Sequence, residues 1–238
     1  MVGTLINVAA VLIGGGIGCV LGDRLKENIQ NTLLSGLGIF TMMLGIKNFF
    51  DSQNVLIVLG ALVIGGIVGE LLKIEEGLGK LGDWLKKIFL KSDSNDKNLR
   101  FVEGFVVASL LFCVGPMSIL GSIQDGLTGD YTMLAIKSIL DMIAGMAFAS
   151  TMGVGVLFSA VIILIYQGGI TLFATQLNAL VNEAMVFEMN AVGGVLLAGI
   201  GISSLLLLKK IRVSSYLPSL LFAPLIVAIL QWLNVDYL

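Results

Sequence analysis

Residues 2–21 read VGTLINVAAVLIGGGIGCVL, twenty positions without one Asp, Glu, Lys or Arg. At 1.5 Å of rise per residue, a helix of that length spans about 30 Å, the hydrocarbon thickness of a bilayer. A surface helix of a soluble protein would show a polar face. Here only Thr4, Asn7 and Cys19 interrupt the apolar and glycine residues, so the stretch reads as a membrane span. No Lys or Arg precedes it, which removes the charged start of a signal peptide. Gly16-Ile17-Gly18 before Cys19 also makes a poor lipoprotein cleavage site. The segment is expected to be retained as a first span.

The same texture runs through all 238 residues. Apolar residues make up 57% and charged residues 13%, with a mean hydropathy of +1.00, against roughly 45–50% and 25% in soluble domains. Eight apolar segments can be drawn: 2–21, 31–50, 55–72, 102–123, 132–150, 154–176, 190–208 and 216–233. The second is the weakest, because Lys47 and Asn48 interrupt it; tilting, fraying or re-entry are all open to it. The fifth and sixth are joined by little more than Thr151-Met152-Gly153 and must form an antiparallel hairpin. The fold class is therefore all-α, a polytopic bundle of about eight transmembrane helices over residues 1–238. It divides into three spans (2–72), a loop (73–100) and five spans (101–238).

Positive charge orients the bundle. With the N-terminus outside, the odd-numbered connections are cytoplasmic and hold 12 of the 14 basic residues. Lys47 on the outer side and Lys137 inside the fifth span are the other two. Such asymmetry is what the positive-inside rule predicts, and one helix more or fewer would scramble it. Both termini are expected outside. In the long loop, Ile74, Leu78, Leu81, Leu85, Ile88 and Phe89 recur at helical spacing with lysines between them. That pattern predicts an amphipathic helix over 74–90 on the cytoplasmic membrane surface, either orienting the protein or binding a partner. A polar linker, 92–98, follows.

At an offset of 51 residues, Ala10-Val-Leu-Ile-Gly-Gly-Gly-Ile-Gly18 lies over Ala61-Leu-Val-Ile-Gly-Gly-Ile-Val-Gly69, with a looser relative from Gly193 to Gly201. These would be parallel copies. Spans one and seven also start with asparagines, Asn7 and Asn190. Glycine faces let helices pack closely where lipid provides no hydrophobic drive. They suit contacts within one chain or between two copies, so a homo-oligomer is within reach. Repeats of this kind favour transporters.

Ionisable groups inside a bilayer carry the functional signal, because each costs about 2.5–3.5 kcal/mol at mid-depth on insertion scales. Asp141 falls in the middle of the fifth span and Lys137 sits one turn earlier on the same face. Either the two pair, or Asp141 is protonated. The functional reading is a proton or cation site with Lys137 as gate or counter-charge; the alternative is an ion pair that locks helix packing. In the fourth span Gly115-Pro116 predicts a kink or break, beyond which Ser118, Ser122 and Gln124 would line a site. An ordinary proline kink is the plainer reading. Asp125 and Asp130 fall in the outer turn, solvated by default, although two acids without a base attract cations. Gln167, within Tyr166-Gln167-Gly168-Gly169, places an amide in the outer half of the sixth span, for packing or for binding. Glu70 and Glu103 are read as hydrated helix ends. Met142 and Met146 are read as core rather than as soft-metal ligands.

Several classes are disfavoured. There is no histidine and the net charge is −2, which argues against a nucleic-acid partner and against histidine-based metal sites or catalysis. No catalytic constellation, nucleotide loop or haem motif is present, so neither enzyme activity nor a cofactor is expected. Cys19 and Cys113 lie at different depths and read as small apolar residues rather than as a disulfide.

The stretch FCVGPMSILGSIQDGLTGD, residues 112–130, together with the N-terminal glycine span and YQGG, resembles the bacterial YdfK/YqgA-like family of multi-spanning membrane proteins. That is a domain-of-unknown-function family. The resemblance runs over nearly the whole chain and implies a protein of the bacterial cytoplasmic membrane, sometimes labelled a transporter. It brings no catalytic residues with it. The reading that results is a secondary transporter of a small solute or ion, partnered by the lipid bilayer. The alternative is a non-transporting scaffold or regulatory protein.

Overall fold

The structure is a computed structural model that describes residues 1–22, 24–77, 80, 95–206, 208 and 211–233. Regular structure among the described residues is entirely helical. The helices are α1 (Val2–Gly22), α2 (Glu27–Phe49), α3 (Val55–Leu71), α4 (Asn95–Cys113), α5 (Pro116–Thr128), α6 (Thr132–Met152), α7 (Gly155–Leu172), α8 (Ala174–Leu180), α9 (Glu183–Ile200) and α10 (Ser219–Trp232). A π-helical turn, Gly201–Leu205, continues α9, and a 3-10 turn, Val213–Tyr216, precedes α10. Among the described residues, six helical stretches are long and apolar enough to cross a bilayer, or seven if the bent pair α4–α5 is one span. The apolar α3 is shorter at 17 residues. All eight hydropathy segments fall on helices.

Three boundaries differ from expectation, each for a local reason. The second segment neither breaks nor re-enters, since α2 is continuous over 23 residues. Lys47 sits in its last turn and is exposed, where a cation faces the unsatisfied carbonyls of the helix end. The seventh segment starts seven residues early, at Glu183, because Asn182 caps it by accepting the Met185 N–H at 2.9 Å. Asn190 is therefore two turns inside α9 and not at its start. The linker at 92–98 is partly helical, with Asn95 opening α4. Of the surface helix expected over 74–90, residues 74–77 are helical, whereas 78–79 and 81–94 lie outside the described residues.

The chain packs as two compact units. Unit 1 comprises Met1–Leu37, Leu78–Cys113 and Met117–Leu177; unit 2 comprises Gly38–Gly77, Val114–Pro116 and Asn178–Leu238. In unit 1 the longest contact is α1 on α6. Gly14, Gly18 and Gly22 lie one turn apart, and a Cβ on them would overlap the main chain of Met142, Met146 and Ser150 respectively. The numbers rise together, so α1 and α6 run parallel. Gly155 meets the main chain of Phe101 and Gly126 meets that of Thr171, so α4–α5 runs parallel to α7. Gly153, at φ +77°, turns α6 back into α7. Two helices thus run one way and two the other, as odd and even spans must. Phe112, Leu134, Phe148 and Ile163 fill the interior, while Leu5, Ile139, Ile143 and Ile165 lie more than half exposed, as a lipid-facing surface requires.

In unit 2, α9 packs antiparallel on the second half of α2. Gly45 meets Gly194 and Ala198, and Gly38 meets Leu205 and Leu206. Gly65 and Gly69 of α3 meet the backbone of Ser219 and Ser215, which is again antiparallel. Val58, Ala61, Ala191, Val192 and Ala223 form one core cluster, with Ile57, Met185 and Val227 beside it. The glycines matched at offset 51, Gly14 with Gly65 and Gly18 with Gly69, therefore do the same job in both units. Their partner helices run in opposite senses, however: parallel to α1 and antiparallel to α3.

Candidate functional site

Asp141 is the tenth residue of α6, and Lys137 lies one turn before it. The Lys137 ammonium pairs with Asp141 Oδ2, and both side chains are nearly enclosed, at 7% and 10% exposure. The glycine contact determines what joins them. Asn7, Val11, Gly14, Gly18 and Gly22 form the buried face of α1, so the stripe that docks α1 on α6 also carries Asn7 to Asp141. Asn7 Nδ2 donates to Asp141 Oδ2 at 3.0 Å and to Gln167 Oε1 of α7 at 3.2 Å. Four polar side chains from three helices thus meet in mid-span. Asn7 and Gln167 are fully buried, yet Asn7 Oδ1 and Gln167 Nε2 have no hydrogen-bond partner. One unused acceptor and one unused donor therefore remain beside a charge pair, although buried polar atoms are nearly always satisfied.

Polar contacts continue toward the end at which α1 begins. Thr171 Oγ1 donates to the Gln167 carbonyl at 2.8 Å and lies 3.5 Å from Thr4 Oγ1. One further turn along, Asp125 Oδ2 accepts the Gly3 N–H at 3.1 Å. Asp125 was expected to be solvated in the outer turn, but it is buried at 4% exposure, the last enclosed residue of α5. Toward the other end the contact is glycine on main chain, and the hydroxyls of Ser150, Thr151 and Ser159 donate to carbonyls of their own helices.

The fourth span breaks between Cys113 and Pro116, and its two halves meet at 60°. Gly115 sits at φ +135°, a conformation L side chains rarely adopt. Pro116 opens α5 rather than kinking a continuous helix, at a position where its missing N–H has no cost. Ser118 Oγ donates to the Phe112 carbonyl at 3.0 Å, and Ser122 Oγ to the Ser118 carbonyl at 2.6 Å. The Ser118 hydroxyl thus spans the break and that of Ser122 bonds one turn back within α5, so neither is free. Phe112, next to Cys113 at the end of α4, has its ring close to Gly145 of α6, one turn beyond Asp141. The end of α4 therefore borders the cluster.

Gln124 is elsewhere. Its Nε2 donates to Asp130 Oδ2 at 2.8 Å on the exposed side. The Asp130 carboxyl is held below the ordinary carboxylate range by hydrogen bonds from the hydroxyl and N–H of Thr132. Asn190 belongs to unit 2, where its Nδ2 donates to Asp51 Oδ2 at 3.0 Å. Sequence reasoning missed Glu188, which is fully buried. It accepts from Ser52 Oγ and from the N–H groups of Gln53 and Asn54 at 2.8–2.9 Å, tying the α2–α3 loop to α9. Reading Asn182 as a cap would have placed Glu188 inside the helix. Glu70, read as hydrated, pairs with Arg212 at 2.6 Å. Among the described residues no group of three or more His, Cys, Asp or Glu could hold a metal ion.

The cluster's chemistry is a neutral charge pair that one proton can open. If Asp141 is protonated it becomes a donor and Lys137 loses its counter-charge. That event is confined to a buried site where alternative solvation is scarce.

Comparison with known proteins agrees with this architecture. The chain is 33% identical over 235 residues to the "Uncharacterized membrane protein YdfK" of Bacillus subtilis (strain 168), covering 97% of each chain. It is 31% identical over 233 residues to the "Uncharacterized protein YqgA" of Escherichia coli (strain K12), covering 98% of this chain and 99% of the other. No solved structure matches. A family model described as "Protein of unknown function (DUF554)" matches residues 2–228, and the chain belongs to that family of multi-helix membrane proteins.

Proposed function

We propose that this chain is a secondary transporter of a small solute or ion in the bacterial cytoplasmic membrane, with Asp141, Lys137, Asn7 and Gln167 as its site. The observation that carries the reading is the pair of unpartnered polar atoms, Asn7 Oδ1 and Gln167 Nε2, beside a buried ion pair. A cluster serving only to pack helices has no use for an idle acceptor and donor, each costing about 1–3 kcal/mol when buried unpaired. A passing ligand group supplies what they lack. The broken α4–α5 span bordering the cluster gives the discontinuity that transporters place beside a midplane site. In the orientation that puts basic residues inside, α1 begins on the outer face.

A scaffold role is the second reading, favoured by the internal bonds of the Ser118 and Ser122 hydroxyls, which leave neither free for a solute. Thermal unfolding of the purified protein against a panel of amino acids, sugars, organic acids and alkali cations separates the two. The transporter reading expects at least one solute to stabilise the wild type and not Asp141→Asn. A panel in which no solute does so favours the scaffold.

A further inference from the structure

At rest the hydrogen bonds of the cluster run in one sense. Asn7 Nδ2 donates to Asp141 Oδ2 at 3.0 Å and to Gln167 Oε1 at 3.2 Å, leaving Asn7 Oδ1 and Gln167 Nε2 without partners. A proton on Asp141 reverses that sense, because a carboxylic acid donates where a carboxylate accepts. An amide turned over exchanges its nitrogen for its oxygen and moves nothing else. Turning Asn7 puts its Oδ1 in the position 3.0 Å from Asp141, and turning Gln167 puts its Nε2 in the position 3.2 Å from Asn7. The Asp141 hydroxyl and Gln167 Nε2 then both donate to Asn7 Oδ1. Three groups are left over: the Lys137 ammonium without its counter-charge, Asn7 Nδ2 without an acceptor, and Gln167 Oε1 without a donor. The packing is loose at both ends of the cluster. At Gly145, one turn beyond Asp141, and at Gly168, next to Gln167, a Cβ would have no neighbour nearer than 3.7 Å.

We propose that this second state of the cluster binds a small hydroxycarboxylate together with one proton. The proposal rests on Asp141 being the transport site named above and gives the class of its solute. The solute carboxylate accepts from the Lys137 ammonium and from Asn7 Nδ2, and its hydroxyl donates to Gln167 Oε1, so each of the three groups left over gains a partner. The charges balance. Asp141 goes from carboxylate to carboxylic acid by taking one proton, and the solute carboxylate replaces it as the counter-charge of Lys137. Proton and anion together make up one molecule of the free acid, and the site is neutral before and after. A buried site penalises an unpaired charge heavily, so neither binds without the other. A metal cation suits the site less, because the Lys137 ammonium already occupies the cation's place at Asp141. Lys137 is the charged side chain facing Asp141. Helices α1 and α7, which bring Asn7 and Gln167, carry no Asp, Glu, Lys or Arg, and their titratable side chains are Cys19 and Tyr166. At the end of α4 that borders the cluster the titratable side chain is Cys113, and Asp125 of α5 lies at Gly3, one turn from Asn7, paired with the Met1 amino group.

The test measures binding and proton uptake, so it is independent of flux. The full chain in lipid nanodiscs is titrated with lactate, or with propionate, which lacks only the hydroxyl. Calorimetry gives the Kd, and a pH-indicator dye in weak buffer counts the protons taken up. Lactate should bind with uptake of one proton, and its Kd should rise about tenfold per pH unit between about pH 6 and 8. Propionate should bind about tenfold more weakly, for want of one hydrogen bond. Gln167→Leu should lose that preference for lactate while still taking up the proton. Asp141→Asn, which has no carboxylate to protonate, should give neither signal. Lactate binding without proton uptake, or with a Kd that ignores pH, would overturn the proposal, and the wild type alone decides this. Binding of a sugar or an alkali cation in place of lactate would also overturn it and would leave the transport reading standing. If lactate and its proton bind as expected but nothing crosses the membrane, the transport reading fails alone.

Discussion

Replacing Lys137 by Met keeps most of the side-chain length and removes the ammonium. Asp141 would then keep only the Asn7 amide at 3.0 Å, with its carboxylate still enclosed at 10% exposure. Removing one partner of a buried pair costs about 3–5 kcal/mol, because the survivor is left as an uncompensated buried charge. Asp141→Leu should cost a similar amount by stranding Lys137 at 7% exposure. The double variant carries neither charge, and Asn7 keeps its bond to Gln167. Apolar replacement of a whole buried pair is often close to neutral, so the double variant should lie within about 2 kcal/mol of the wild type. The coupling energy of the cycle is then at least about 4 kcal/mol. Equilibrium unfolding of the purified protein in detergent, titrated with denaturant for all four proteins, measures it. Additive losses would refute the claim that these side chains act as one buried pair.

The other expectations are more local. Gly14→Ala puts a methyl against the Met142 main chain, whereas Gly16→Ala meets nothing within 4 Å. The first should therefore unfold about 1–3 kcal/mol more easily than the second, and equal stabilities would contradict the α1–α6 contact. Glu188→Ala leaves the Ser52 hydroxyl and the Gln53 and Asn54 N–H groups without their acceptor. It should cost about 2–4 kcal/mol and speed proteolysis in the 50–54 loop, whereas unchanged cleavage would show that Glu188 does not hold it. Asp130 titrates below a free aspartate because Thr132 donates to it, so its contribution to stability is present above the ordinary carboxyl range and fades as pH falls through its lowered value. Carbon-13 NMR of labelled Asp130 should show an upward shift of its titration in Thr132→Val; an unmoved midpoint would exclude the hydroxyl as the cause.

The spans were legible because apolar runs near twenty residues long have few alternatives to a bilayer-crossing helix. Lys137 and Asp141 were legible as a pair because a four-residue spacing places them on one helix face whatever else happens. Asn7 and Gln167 were each noticeable as polar residues in apolar text, but their meeting is a product of packing. The glycine stripe of α1 decides which face turns inward, and only three-dimensional contact shows that this face includes Asn7. Asp125 was read as solvated and Glu188 was missed for a common reason. Hydropathy locates a span's centre well and its ends poorly, so Asp125 fell in an outer turn and Glu188 outside the seventh segment, although both are buried. Asp125 shares a face with Ser118 and Ser122, and that polar stripe was the available clue. Lys47 shows the opposite error, a charge taken to interrupt a helix when it sits in the last turn, where a cation is favourable.

The central claim is that the buried cluster around Asp141 moves a solute or ion rather than only holding helices together. The most direct measurement is flux in proteoliposomes under an imposed pH or sodium gradient, comparing wild type with Asp141→Asn at matched protein content and verified folding. The account predicts that wild type supports flux and that Asp141→Asn abolishes it. Flux in the variant equal to that of the wild type would contradict it.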